Sequence, residues 1–69
     1  MKRAYCVTMS GASEERRVSV NATSPESAAR IAVRRTLYQP DRGTLAVLCR
    51  VDTVSAPHDT ETTWVRVPA

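Results

Sequence analysis

The stretch Ser24-Pro25-Glu26-Ser27-Ala28-Ala29-Arg30-Ile31-Ala32-Val33-Arg34-Arg35-Thr36-Leu37-Tyr38 carries the one full set of helix signals in this chain. Ser24 suits the N-cap, because its hydroxyl can accept a hydrogen bond from an unpaired first-turn amide. Pro25 follows at a position where a missing N–H costs nothing and a fixed φ already fits the helix. Glu26 near the start and Arg34 and Arg35 near the end match the helix macrodipole. Pro40 blocks a smooth continuation, and Asp41 to Gly43 read as a turn. At about 100° per residue, Ala28, Ala29, Ile31, Ala32 and Thr36 share one face, and Glu26, Arg30 and Arg34 line the other. The apolar face is built of small residues, so the helix can lie close against a sheet.

The flanking sequence is β-prone. Before the helix, Arg17 to Ala22 alternates, with Val18, Val20 and Ala22 on one face and Arg17, Ser19 and Asn21 on the other. That is the pattern of a half-buried strand. Ala4 to Met9 reads as a first strand, and the polar connection Ser10 to Glu15 joins the two as an antiparallel hairpin. After the helix, Thr44 to Asp52 is the most apolar segment and reads as a central strand. Leu45, Val47, Cys49 and Val51 would face the helix, with Ala46, Leu48, Arg50 and Asp52 behind. Ser55 to Thr62 is a polar loop punctuated by Pro57, and Thr63 to Val67 closes the chain as a fourth strand. The expected fold is α+β in the order β-β-α-β-β: a four-stranded, mainly antiparallel sheet with one helix packed on one face. Residues 1–69 make a single domain. Strand order within the sheet does not follow from the pattern.

Composition narrows the function classes. With 42% apolar and 25% charged residues in 69, the chain is of globular type, too short for a second domain or a deep catalytic cleft. No apolar run approaches the roughly 18–20 residues of a membrane span. The start, Met1-Lys2-Arg3-Ala4-Tyr5, is basic but reaches polar residues too soon for a signal peptide, which makes the cytoplasm the expected compartment. Net charge is +3, and nine of the ten basic residues are arginine. This modest excess favours an acidic or nucleic-acid-containing partner, and arginine suits bidentate contacts to carboxylate and phosphate.

Residues for chemistry are sparse. His58 is the only histidine; it stands beside Asp59 in the polar loop without a nucleophile motif. Two glycines, Gly11 and Gly43, cannot make a phosphate loop or a dinucleotide fingerprint. The seven acidic residues have neither the spacing of a metal box nor that of a paired-carboxylate site. Cys6 and Cys49 lack zinc-site partners and read as two buried thiols. A disulfide between them would need neighbouring strands, and cytosolic redox conditions argue against it. The expectation is a protein without catalytic residues, metal or cofactor.

Two surfaces could bind a partner instead. On the outer helix face Arg30 and Arg34 lie one turn apart, either as contacts or as a solvated face with Glu26 pairing to Arg30. On the back of the sheet, Trp64 and Arg66 would join Arg17 and Arg50 if Val65 and Val67 point inward. Tryptophan among arginines suits partner recognition. The other reading has Trp64 anchoring the core.

Lys2, Ala4 and Tyr5 opening the first strand, Ser24 with Glu26 or Ser27, Ala28, Arg30, Ile31 and Ala32 on the helix, Gly43-Thr44, and Trp64-Val65 near the end form a pattern. It resembles the small phage-encoded anti-CRISPR proteins, and among them the ninth family of type I-F inhibitors. Ala29 stands where that family has a lysine, and Thr53 to Thr63 does not match. The resemblance implies a small sheet with a helix packed on it. It implies binding to the backbone subunits of a type I CRISPR surveillance complex in an infected bacterial host. There the protein would obstruct target DNA pairing with the guide and promote non-specific association with duplex DNA. Arg30 and Arg34 would be the contacts that carry over. Similar helix starts occur in the double-stranded-RNA-binding-like antitoxins, so a small nucleic-acid-binding or antitoxin-type module is the alternative.

Overall fold

Two periodicities, two in the strands and 3.6 in the helix, give each element one apolar side, and the fold joins those sides. The computed structural model describes residues 2–11, 14–43, 45–53 and 61–68. Its elements are β1 (Arg3–Ser10), β2 (Arg16–Ala22), α1 (Pro25–Thr36), β3 (Ala46–Thr53) and β4 (Thr62–Pro68). The strands form one antiparallel sheet in the order β2-β1-β3-β4. The two apolar strands take the middle, while β2, with Arg16 and Arg17, takes an edge where charged side chains are tolerated.

The inner face carries Tyr5, Val7 and Met9 from β1, Val20 and Ala22 from β2, Val47, Cys49 and Val51 from β3, and Val67 from β4, all buried. Ala28, Ala29 and Ala32 close the core from the helix. Because these three side chains are single methyls, the helix backbone can approach the sheet without leaving voids. Ile31 is only half-buried, and Thr36 donates back to the Ala32 carbonyl at 2.7 Å.

The helix ends differ in how they are made. At the start, Ser24 Oγ accepts the Ser27 amide at 3.2 Å, as the N-cap reading requires. At the finish, Leu37 takes the left-handed conformation, φ 53°, with Leu37 N–H donating to the Arg34 carbonyl at 3.4 Å and Tyr38 N–H to the Val33 carbonyl at 3.2 Å. This pair of bonds is the Schellman arrangement, here without its usual glycine. Gly43 does adopt a positive φ, 91°, in the turn that follows. The Tyr38 hydroxyl donates to the Glu14 carbonyl at 2.6 Å and the Asp41 amide to the Gly11 carbonyl at 2.7 Å, tying the helix exit to the β1–β2 connection.

Two expectations need correction. β3 begins at Ala46, and Leu45, expected to face the helix, is 86% exposed. The ladder explains this: Ala46 pairs with Pro68 and β1 ends at Ser10 opposite Leu48, so Leu45 lies beyond the end of both neighbouring strands. Nor are the two thiols both buried. Cys49 is, but Cys6 is half-exposed on the outer face. Most of the polar loop, including His58, lies outside the described residues.

Candidate binding surface

The outer face of the sheet has no element of the described chain over it, because α1 lies on the inner face. Cross-strand pairing sets its layout. Thr8 is the Cα partner of both Arg17 on β2 and Arg50 on β3, and Arg50 is the partner of Trp64 on β4. Arg17, Thr8, Arg50 and Trp64 therefore form one row across all four strands, about 14 Å long at the usual spacing of roughly 4.8 Å between strands. In the next row Ser10, Leu48 and Arg66 stand in register. Trp64 is 60% exposed, with Arg17, Arg50 and Arg66 also exposed.

Hydrogen bonds orient part of this row. The Arg17 Nε–H donates to Cys6 Sγ at 2.9 Å, and this bond is the first cause of a raised pKa at Arg17. Arg50 Nε lies 3.5 Å from Asp52 Oδ1, and the Thr62 hydroxyl donates to the same oxygen at 2.5 Å. Thr8, Glu15, Arg16, Arg17, Arg50 and Asp52 line a shallow depression of about 410 Å³. Its two central arginines are held apart by one strand. That spacing suits a partner presenting separate anionic groups rather than one.

Arg30 and Arg34 are exposed on the helix, as the helical pattern requires. Arg30 reaches the neighbourhood of the sheet residues. It lines a groove of about 330 Å³ with Glu26, Thr63, Trp64, Val65 and Arg66. The two surfaces that the sequence presents as separate thus meet along the edge of β4. Thr8 and Asp52 stand beside the sheet arginines and were not among the expected contact residues. Asp52 shares the outward phase of Arg50, readable from alternation along one strand, whereas the place of Thr8 between Arg17 and Arg50 depends on register. Among the described residues no group of three His, Cys, Asp or Glu side chains could hold a metal ion, and no helix is long and apolar enough to cross a membrane.

No family model, curated protein or solved structure matches the chain.

Proposed function

We propose that this protein is a non-catalytic inhibitor that binds the backbone subunits of a type I RNA-guided surveillance complex and obstructs its access to target DNA. The observation that carries the reading is Trp64, 60% exposed beside Arg50 and Arg66 on a sheet face that no described element covers. Tryptophan and arginine are the residue types in which interfaces concentrate their energy, and a small domain gains nothing for its own core by exposing them. The resemblance to type I-F inhibitors supplies the target, and the arginine excess fits a partner built of protein and nucleic acid. Arg17, Arg50, Trp64 and Arg66 form the sheet side of the contact; Arg30 and Arg34 form its helix side. Association with duplex DNA belongs to the complex so formed and not to the free protein.

The test is capture of the surveillance complex by tagged protein, together with target DNA binding by that complex. Two variants divide the surface: Arg17→Glu with Arg50→Gln on the sheet, and Arg30→Glu with Arg34→Glu on the helix. Glutamine at 50 avoids setting a carboxylate beside Asp52. These side chains are exposed, so the melting temperature should stay within a few degrees, in line with surface substitutions costing no more than about 0.5 kcal/mol. Loss of a hot-spot arginine costs about 2 kcal/mol or more, a drop of over tenfold in affinity. Each variant is expected to lose capture and restore DNA targeting. Full inhibition by both would overturn the proposal.

One feature favours a second reading, a nucleic-acid-binding or antitoxin-type module. An open four-stranded sheet bearing an aromatic and arginines is also a platform on which single-stranded bases stack. Tight binding of RNA without any protein partner would select it.

A further inference from the structure

β4 is an edge strand, and its free side follows from its hydrogen bonding. The Thr53 amide donates to the Glu61 carbonyl at 2.9 Å, and the ladder continues in register to Val47 and Val67. In an antiparallel ladder, bonded and non-bonded pairs alternate. Thr63, Val65 and Val67 therefore bond toward β3, and the backbone groups of Thr62, Trp64 and Arg66 point outward from the sheet. Among the described residues the devices that usually blunt an edge are few. Thr62–Pro68 is seven residues long, rich in β-branched and aromatic side chains, with one charge, Arg66, and a proline only at its last position.

We infer that this edge pairs with β4 of a second copy of the chain, antiparallel about a two-fold axis at Val65. The register follows from three independent features. The outward backbone groups are on even-numbered residues, so bonded pairs must join even to even, and pairing Trp64 with Arg66 of the other copy satisfies this twice. On the outer face each indole then lies directly opposite a guanidinium, a favourable cation–π neighbour, whereas a shift that set Arg66 against Arg66 would place like charges together. On the inner face Val65, half-buried in one copy, meets Val65 of the other across a non-bonded pair, where side chains come closest.

The helix adds a fourth match. Glu26 and Arg30 line the groove beside Val65 and, among the described residues, do not pair with each other. An isologous contact repeats every pair in both directions. Glu26 of one copy can thus meet Arg30 of the other, and the reverse. The product is an eight-stranded sheet whose outer face carries both arginine rows, with the two tryptophans at its centre.

The test uses the full chain alone, by sedimentation and light scattering from micromolar to millimolar protein, with amide exchange as a second readout. A species of twice 7.6 kDa is expected, with Trp64 and Arg66 amides protected although they face away from β3. Arg66→Pro removes one outward donor at an edge position where proline is tolerated, and should give a folded monomer. Glu26→Arg should weaken the dimer by setting like charges across the seam, and adding Arg30→Glu should restore it. This swap keeps the strand untouched, so it decides the matter if the proline variant does not fold. A chain of 7.6 kDa at every concentration would overturn the inference, as would a dimer indifferent to both Arg66→Pro and Glu26→Arg.

Discussion

Cys6 and Cys49 show what one position in a ladder decides. Cys6 pairs with Asp52 and Cys49 with Met9, so the two side chains leave opposite faces of the sheet and cannot form a disulfide. Cys6 serves as acceptor for Arg17, while Cys49 lies in the core, where burial pushes its thiol pKa up. A raised pKa means that the folded state holds the proton more tightly than the unfolded chain does. The resulting stabilisation is complete below the unfolded thiol's value and is lost as pH rises through the folded one. The stability advantage of the native chain over Cys49→Ala should therefore be constant near neutrality and shrink above about pH 8.5, the ordinary thiol value. Melting temperatures of both proteins between about pH 7 and about pH 10 check this, and a gap that stays constant would contradict it. Both strands were legible as apolar runs, and alternation set Cys49 inward as found; that Cys6 faces the other way was not legible, because Ala4 to Met9 is apolar on both sides and its phase emerges only from pairing.

The helix was the most legible element, yet its two ends were not equally so. Its start depends on Ser24, Pro25 and Glu26, local chemistry that acts wherever the segment sits. Its end depends on Leu37 at φ 53°, a conformation that side chains other than glycine adopt at a cost of roughly 1–2 kcal/mol. Leu37 is 80% exposed, so its side chain returns little packing for that strain. Leu37→Gly should relieve it, offset in part by the greater freedom glycine gains in the unfolded chain. A net stabilisation of about 0.5–1 kcal/mol is expected, a rise in Tm of a few degrees for a domain this small. A lower Tm in a thermal melt would show that Leu37 makes a contact worth more than its strain. Nothing in Thr36-Leu37-Tyr38 marks the stop, because the Schellman bonds close only when Tyr38 is drawn to the core and its hydroxyl to Glu14.

At the scale of the molecule, charge is concentrated by the fold more than by the composition. A net +3 is small, but three of nine arginines fall on one face that no described element covers, and a fourth borders it at the β4 groove. Electrostatic binding to duplex DNA needs several phosphates neutralised at once, and its affinity falls steeply with salt. A flat sheet presents too few cations along one strand of a duplex for that. The free protein should therefore give no gel shift with duplex DNA at sub-micromolar concentration in about 0.15 M salt, where the Debye length is about 8 Å. A clear shift under those conditions would move the reading toward a nucleic-acid module.

What the amino-acid sequence determined by itself is the set of elements and their apolar sides. Alternation in Arg17 to Ala22 and the stripe of Ala28, Ala29 and Ala32 are consequences of local backbone geometry, which every stable fold of this chain must respect. The outward phase of Trp64 and Arg66 was readable once Val65 and Val67 were set inward. The tertiary structure alone decided the order β2-β1-β3-β4, and with it the alignment of Arg17, Arg50 and Trp64 in one row. It also decided that Arg30 borders the same β4 edge as Trp64 and Arg66, and that Leu45 runs past the ladder into solvent. Several strand orders preserve the same alternation, so local pattern cannot choose between them. The choice rests on the sum of contacts between residues far apart in the chain.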